Sequence, residues 1–294
     1  MKVGLIDVDG HRFPNLALMK VSAWHKSQGD QVEWWLSDMI YYDIVYMSKV
    51  FDDTYTKDVP EPYNVGQLVK GGTGYGLDNK LPYHIEHMYP DYTLYPDLTD
   101  NRAYGFMTRG CPRHCKFCIV GEKEGLQSRK VADLTEFWQR QDNITLLDPN
   151  LLACPGRIDI LDQLIDSGAN IDICQGLDIR LMTDDIIWRL GQMRTKRLYF
   201  AWDNANDRLD RHFKYFSDHY RRKSSSGKVV YVLTNFDSTM DDNLYRIYTL
   251  RDLGYDPYVM VYDKPHAPND IRRLQRWCNN KRIFRVCKRF DDYK

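Results

Sequence analysis

The feature that most constrains the fold is a regular alternation of strand-like and helix-like segments that begins near residue 104. Short apolar runs are typical of buried strands, whereas apolar residues three to four positions apart indicate helices. Strands are predicted at 104–109, 144–148, 171–175, 197–202, 229–234 and 258–262. Helices are predicted at 131–141, 157–167, 205–222 and 241–253, and Gly168 and Gly254 are expected to end the second and fourth of these. Strands that alternate with helices predict a parallel sheet with right-handed crossovers.

The length of this alternation predicts the kind of barrel. A closed eight-fold barrel needs about 250 residues, whereas roughly 190 are available here. We therefore expect an α/β fold in which residues 101–294 form a partial (β/α)6 TIM-like barrel that ends in a basic segment.

The first hundred residues predict a second, smaller unit. A strand is expected at 2–7, a helix after the candidate N-cap Asn15, and further strands at 32–36, 44–47 and 67–69. The last strand runs into the glycine-rich segment 71–76. This order indicates a short Rossmann-like α/β domain over residues 1–100, and the Tyr/Pro-rich part at 82–98 is predicted to be irregular.

The composition favours a folded protein without membrane spans. Hydrophobic residues make up 43% of the chain and aromatic residues 13%, which supplies a core that disordered chains lack. No apolar stretch approaches the ~20 residues that a membrane span requires, and acidic residues interrupt the N-terminal apolar run, unlike in a secretion signal. We therefore expect a cytoplasmic protein whose seven cysteines are thiols or metal ligands, because disulfides are rare in that compartment. Of the cysteines outside the cluster described below, Cys154 either packs or faces the active site. Cys174, inside an apolar strand, is expected in the core, and Cys278 and Cys287 are expected to be structural.

The charges are balanced overall but unevenly distributed. Residues 1–100 have 8 basic and 15 acidic side chains, whereas residues 271–294 have 9 basic and 2 acidic ones. In this basic tail cations are interleaved with aromatic residues, a mixture that binds phosphates and stacks on bases. A solvated amphipathic helix and strand would have the same pattern, and the zero net charge disfavours a broad RNA-binding surface. A phosphate-bearing substrate and a plain solvated surface both remain open.

Three cysteines, Cys111, Cys115 and Cys118, follow the first predicted barrel strand, at the end where such barrels carry their chemistry. Three thiolates so close together suit zinc or an iron–sulfur cluster. A structural zinc site needs a fourth ligand at a matching spacing, and no second Cys or His pair follows nearby. Three ligands on a four-iron cluster would leave one iron free to bind another molecule.

The C-x3-C-x2-C spacing, with Phe117 directly before the last cysteine, resembles that of the radical S-adenosylmethionine (radical SAM) enzymes, and residues 101–270 resemble their partial barrel. The resemblance implies that Cys111, Cys115 and Cys118 hold a [4Fe–4S] cluster whose fourth iron binds SAM. It implies reductive cleavage of SAM, and a 5′-deoxyadenosyl radical that abstracts hydrogen from an unidentified substrate. Phe117 would pack near the adenine, and an external reductant of the flavodoxin or ferredoxin type would supply the electron.

The resemblance also implies SAM contacts at the ends of later strands. Where the family has a Gly-Gly-Glu-type motif, this chain has Asp148 and Asn150, which we expect near the SAM amino group; a plain turn is the alternative. Gln175 follows the third strand. Farther along the same loop, Arg180 is expected to clamp the SAM carboxylate.

The loops also offer an alternative for Arg180 and two further candidate residues. Arg180 could instead form a surface ion pair with Asp184 or Asp185. Asp203 and Asn235, at later strand ends, are candidates for ribose or substrate contacts.

The front domain resembles that of the radical SAM branch with a cobalamin-binding domain. The segment 9–14 nearly matches the Asp-x-His-x-x-Gly motif, in which the His, here His11, binds cobalt and the Asp, here Asp9, fixes its tautomer. Pro14 replaces the glycine, and the domain is short for a corrinoid. We therefore expect a domain that packs on the barrel and lines the substrate entrance without cobalamin. A cobalamin-dependent methyltransferase and a non-catalytic iron–sulfur or zinc-binding adaptor are the alternative functions.

Overall fold

A computed structural model describes residues 1–10, 12–221 and 227–293 of the chain. The front of the chain is a four-stranded parallel sheet with the order β2-β1-β3-β4. Its strands are β1 (Lys2–Asp7), β2 (Gln31–Trp34), β3 (Tyr42–Ser48) and β4 (Val65–Gly71). Helix α1 (Leu16–Ser27) crosses from β1 to β2, and the side chain of Asn15 accepts a hydrogen bond of 3.2 Å from the backbone N–H of Leu18. The predicted front strands and the N-cap are confirmed.

The connection to the second half of the chain is not wholly irregular. It contains the short helices α2 (Tyr83–Glu86) and α3 (Pro96–Thr99) and a 3₁₀ turn at Tyr92–Leu94. Ile85 of α2 packs with Val3, Leu5 and Leu18 in a core that belongs to the front sheet.

Within the described residues, the rest of the chain contributes eight strands, of which six are parallel. They are β5 (Arg102–Gly105), β6 (Thr108–Arg109), β7 (Arg129–Lys130), β8 (Asn143–Leu146), β9 (Asn170–Ile173), β10 (Arg197–Ala201), β11 (Gly227–Thr234) and β12 (Asp256–Val261). The parallel sheets have the orders β5-β8-β9 and β10-β11-β12, and the short strands β6 and β7 form an antiparallel pair. Parallel bridges from Asn170 to Arg194 and from Leu177 to Phe200 connect the two parallel sheets. The α/β class and the order of the six strands are confirmed, and their description as one partial barrel remains a prediction.

Helices accompany most of these strands. They are α4 (Val120–Glu124), α5 (Arg157–Asp166), α6 (Asp184–Gln192), α7 (Asp210–His219), α8 (Met240–Asp252), α9 (Asn269–Asn279) and α10 (Lys281–Val286). Helices α5 and α8 match their predicted segments, whereas α7 is shorter than predicted. The predicted end of α7, at residue 222, lies outside the described residues.

Three sequence predictions of secondary structure were wrong or incomplete. The helix predicted at 131–141 is only a 3₁₀ turn at Leu134–Glu136, because Phe137 leaves helical geometry to cover Gly105 of β5. Helix α6 was not predicted, although Thr183 caps it and Ile186, Ile187 and Leu190 are buried. The final strand predicted in the basic tail is absent from the described residues, where α9 and α10 follow one another.

The core of the second half is separate from the cores of the front sheet. It fills the space between the β5–β12 strands and their helices, and Trp202, Phe213 and Trp277 are among its largest members. No helix in the described ranges is long and apolar enough to cross a membrane. The carboxyl ends of the six parallel strands form one edge, called here the strand-end face, and the cysteine loop lies on it.

Candidate functional site

The cysteine loop, residues 110–119, is bracketed by the antiparallel pair β6–β7 and by α4. Gly110 opens the loop with a φ of 87°, and a Cβ atom there would lie 2.2 Å from the carbonyl oxygen of Gln127. Only glycine combines this backbone angle with this close approach. The carboxylate of Glu124 accepts hydrogen bonds from Arg109 at 2.7 Å and from the N–H of Gly110 at 3.0 Å. The start of the loop is therefore held before the first cysteine.

The three thiols differ in exposure. Cys111 and Cys115 are half-buried and Cys118 is exposed. Burial raises the pKa of the Cys115 thiol to about 11, and the nearby Asp203 carboxylate adds to the shift. Within the described ranges no three His, Cys, Asp or Glu side chains are placed to bind one metal ion together. A four-iron cluster, in contrast, takes each thiolate on a different iron.

Asn150 is the strongest sign of a missing ligand beside the thiols. Asn150 is buried, and its amide nitrogen Nδ2 lies 3.5 Å from Cys111 Sγ and 3.4 Å from Asp178 Oδ2. Its Oδ1 atom is buried and has no hydrogen-bond partner in the part of the chain that the structure describes. A buried acceptor without a partner costs about 1–3 kcal/mol. The site therefore fits a group that brings an N–H or O–H donor next to Cys111.

Asp178 joins the cysteine loop to two other loops of the strand-end face. Its carboxylate accepts from Arg113 of the cysteine loop and from Arg180 at 2.8 Å, and Arg180 also reaches Asp207 at 3.0 Å. Burial raises the pKa of Asp178, but the two guanidinium groups outweigh it and hold the pKa below its ordinary value. The network is therefore ionised at neutral pH.

The partners of Arg180 differ from those considered from the sequence. Asp185 is bound by Arg189, and Asp184 by Tyr215, so the surface-pair alternative for Arg180 was wrong in its partners. Three of the guanidinium N–H groups of Arg180 are used by Asp178 and Asp207. Since the group has five N–H donors, two are left for a ligand.

Asp148 contacts the backbone that precedes the cysteine loop. It is fully buried, and its carboxylate accepts from the N–H groups of Met107 and Thr108 and from the Thr108 hydroxyl at 2.6 Å. Burial raises its pKa to about 6, although these hydrogen bonds act in the opposite direction. Asp148 thus fixes the backbone that leads from β5 into the cysteine loop.

Aromatic side chains border the other side of the loop. Phe117 meets Phe236 edge to face, with 5.5 Å between ring centroids, and Phe236 meets Tyr262 at 4.9 Å. Asn235 precedes Phe236 and donates from its side chain to the Tyr262 carbonyl at 2.8 Å. Gln175 is exposed, and its amide lies 3.8 Å from the sulfur of Cys174. The structure therefore brings Phe117 and Asn235 to one place and leaves Gln175 at the rim.

Asp203 follows β10 and faces the same region. Burial raises its pKa to about 6, and the charges of Arg246 and Arg180 act against this rise. Arg246 is fully buried and donates to the carbonyl groups of Trp202, Asp203 and Leu233 at 2.7–3.0 Å. Arg246 thereby fixes the backbone at the ends of β10 and β11. This role could not be predicted from the position of Arg246 in the sequence of α8.

Cys174 is not a core residue, contrary to the sequence prediction. It is half-buried directly after β9, on the opposite side of the strand from the buried Ile173. A negative charge on Cys174 would raise the pKa of Tyr104 of β5 and of Tyr231 of β11. These strands lie two positions from β9, one on either side. Cys174 therefore faces the inner side of the strands, and burial raises its pKa to about 11.

The glycine-rich segment of the front domain has a packing role. Cβ atoms at Gly72 and Gly74 would lie 2.2 Å and 2.3 Å from the carbonyl oxygens of Lys49 and Phe51. The segment also contacts the second half of the chain, because Lys123 of α4 donates to the hydroxyl of Thr73. His87 and Glu136, 2.7 Å apart, make a second contact between the two halves.

The motif that resembles a cobalamin site is only partly described. Asp9 accepts hydrogen bonds from the N–H of Val50 at 2.6 Å and of Phe51 at 3.4 Å, and thus holds the loop after β3. His11 lies outside the described residues. The role predicted for Asp9, orientation of His11, therefore remains a prediction.

Comparison with known proteins gives a likeness in fold but not in sequence. No family model matches the sequence, and no curated protein is significantly similar to it. Among solved structures, the chain is similar to the radical S-adenosylmethionine methyltransferase TsrM from Kitasatospora setae, determined with cobalamin and a [4Fe–4S] cluster bound. The TM-score is 0.65 at 9% identity, over 88% of this chain and 74% of that chain. The chain has a radical SAM-like fold. At this identity the likeness concerns the fold alone.

Within this radical SAM-like fold, the predicted site residues fall into two groups. Asn150 and Arg180 are linked to the cysteine loop through direct contacts or through Asp178, and Phe117 is part of that loop. Asp148 contacts the backbone that precedes it, whereas Gln175 and Asn235 lie at its margin. Sequence reasoning missed Asp178 as the centre of the network. The only sequence feature that could have indicated this role is the position of Asp178 between two apolar residues, Leu177 and Ile179, which are both buried.

Proposed function

We propose that this protein is a radical SAM enzyme in which Cys111, Cys115 and Cys118 hold a [4Fe–4S] cluster. When bound, the cluster and SAM supply one-electron cleavage of SAM and a 5′-deoxyadenosyl radical for hydrogen abstraction. The observation that carries the proposal is the unpartnered buried Oδ1 of Asn150 next to Cys111, on the strand-end face of a radical SAM-like fold.

The protein's own groups divide the work of binding SAM. Asn150 offers Oδ1 to the SAM amino group, and the two N–H groups of Arg180 left over from Asp178 and Asp207 face its carboxylate. Phe117, backed edge to face by Phe236, offers a ring to the adenine. Asn235 and Gln175 are assigned to the ribose or the substrate side of the same site.

Asp148 receives a different role in this proposal. Its carboxylate is used by Met107 and Thr108, so it supports the cysteine loop and does not contact the SAM amino group. The exposed Cys118 marks the side on which an external reductant of the flavodoxin or ferredoxin type would approach, because electron transfer needs a short path to the cluster.

The experiment that tests the proposal is anaerobic reconstitution of the full chain with iron and sulfide, followed by incubation with SAM and dithionite. We expect a brown protein with about four irons that releases 5′-deoxyadenosine. The variants Cys111→Ala, Cys115→Ala and Cys118→Ala should lose most of the iron. Cys287→Ala is the matched control, since Cys287 is also half-buried but lies in the tail. A colourless protein that binds zinc would support the adaptor and overturn the enzyme.

Cobalamin-dependent methyl transfer is the second candidate, and it rests on the structural likeness to a cobalamin-bound methyltransferase. In this chain the glycine-rich segment packs on the loop after β3, and the carboxylate of Asp9 holds that loop. We therefore favour a front domain that supports the second half of the chain. Spectroscopic detection of a corrinoid retained by the purified protein would reverse this preference.

A further inference from the structure

The cations of the basic tail lie on a surface of their own. Between residues 271 and 290 the chain has six Arg and two Lys and no acidic residue. Arg272, Arg273 and Arg276 of α9 are exposed, whereas Ile271 and Leu274 of the same helix are buried. The cations of α10 and of the residues after it are likewise exposed, except Lys281. These eight cations are called the basic ridge.

Few acidic side chains compensate the basic ridge, since only Asp270 and the pair Asp291 and Asp292 flank it in the chain. Among the described residues, the acidic partner found for the ridge is Asp256, 3.3 Å from Lys281. Arg272 donates to the carbonyl oxygens of Ala267 and Pro265, and Arg273 to that of Tyr293. Carbonyl groups orient these side chains but do not neutralise them. The surface therefore keeps a concentrated positive charge although the whole protein has none.

The basic ridge begins in the part of the chain that follows β12. Arg272 lines an open cleft of about 410 Å³ together with Lys264, Pro265 and Tyr55 of the front domain. Lys264 and Pro265 lie in the 3₁₀ turn that comes after β12, so the cleft lies beyond the carboxyl end of that strand. Tyr55 is 67% exposed and provides an open ring beside the two cations.

We propose that the basic ridge binds a single-stranded nucleic acid and that the cleft beside Tyr55 receives one of its nucleotides. This inference rests on the proposed function, because it names the substrate class of that site. Proteins that bind single-stranded nucleic acids use cations along the phosphate backbone and aromatic rings on which the bases stack. Guanidinium groups, which make up most of the ridge, match phosphate geometry in two-pronged contacts.

The aromatic residues of the tail do not take part in this binding. Trp277, Phe284 and Phe290 are buried in the core, so the stacking role considered for them from the sequence was wrong. The same burial disfavours an anionic membrane as the partner. Membrane-surface helices expose large apolar side chains beside their cations, whereas α9 buries its apolar face.

The test measures binding of a fluorescent 20-nucleotide single strand to the reconstituted full chain, without SAM or reductant. An RNA and a DNA probe of the same sequence identify the preferred backbone. We expect affinity to fall steeply with salt, and the pair Arg276→Glu with Arg285→Glu to weaken binding roughly tenfold or more. The matched control pair is Lys196→Glu with Lys214→Glu, two exposed cations outside the ridge. It should bind as the unchanged protein does, and the unfolding midpoints of both pairs show that they fold.

Three results would overturn the inference: no binding of either strand at low salt, an equal loss in the control pair, or equal competition by poly-glutamate. Retention on vesicles with anionic lipids, without binding of either strand, would assign the ridge to a membrane and also overturn it. Because the measurement needs no SAM cleavage, its failure is distinguishable from failure of the proposed enzyme activity.

Discussion

Arg113, in the middle of the cysteine loop, donates a hydrogen bond to Asp178, which lies 65 residues later in the loop after β9. Because Asp178 also binds Arg180 and lies near Asn150, one carboxylate joins the three loops that would surround a cluster and SAM. The side chain of Asp178 is only 4% exposed, and a buried carboxylate of this kind is stable only with its cationic partners.

The first prediction concerns the strength of this pair. A double-mutant cycle of Arg113→Ala and Asp178→Asn should give a coupling energy of about 1–2 kcal/mol in urea unfolding of the apo protein. The exposed pair Lys214–Asp218, 2.8 Å long, is the control, and its cycle should give less than about 0.5 kcal/mol. Equal coupling in the two cycles would show that Asp178 does not organise the cysteine loop.

The second prediction concerns pH and Asp148. Burial raises the folded-state pKa of Asp148 to about 6, above the ordinary aspartate value of 3.8. When folding raises the pKa of an acid, the acid stabilises the folded state fully at pH values below its unfolded-state pKa. This stabilisation is lost as the pH rises through the folded-state pKa. Asp148→Asn has no charge to bury. The stability advantage of the unchanged protein over Asp148→Asn should therefore shrink between pH 4 and pH 8, by up to about 3 kcal/mol. Urea unfolding at both pH values checks this, and a gap that widens with pH contradicts it.

The third prediction concerns packing under the site. A Cβ atom at Gly105 would lie 2.3 Å from the ring of Phe137. Gly105→Ala should therefore lower the free energy of unfolding by about 1–3 kcal/mol. Gly156→Ala is the control, because a Cβ atom there meets nothing within 4 Å and the φ angle is −80°. Its thermal midpoint should be unchanged or slightly higher. If both variants melt alike, Phe137 does not pack on Gly105 as described.

The fourth prediction concerns the aromatic side of the site. Phe117→Ala should raise the Kd for SAM of the reconstituted protein roughly tenfold, since stacking of a base on an aromatic ring contributes about 1–3 kcal/mol. Phe117→Tyr keeps the ring and should restore binding. Equilibrium dialysis with labelled SAM measures both values. Unaltered SAM binding in Phe117→Ala, with full iron content, would remove Phe117 from the site.

Much of the fold could be predicted from local pattern. The strands of both halves and helices α5 and α8 were placed from apolar periodicity, because burial of one face imposes a regular spacing on the sequence. The helix predicted at 131–141 failed for the opposite reason: its apolar residues are buried by a tertiary contact, Phe137 on Gly105, and not by a helical face.

The sequence by itself determined the class of the fold, the positions of most strands along the chain and the three cysteines on the first loop of the second half, because each depends on residues close together in the chain. The tertiary structure alone decided that Asp178 joins the cysteine loop to its neighbours. It also decided that the Oδ1 atom of Asn150 has no partner among the described residues, and that Trp277, Phe284 and Phe290 of the tail are buried while most of its cations are exposed. These features depend on contacts between residues tens of positions apart, and no local spacing records which carboxylate meets which guanidinium.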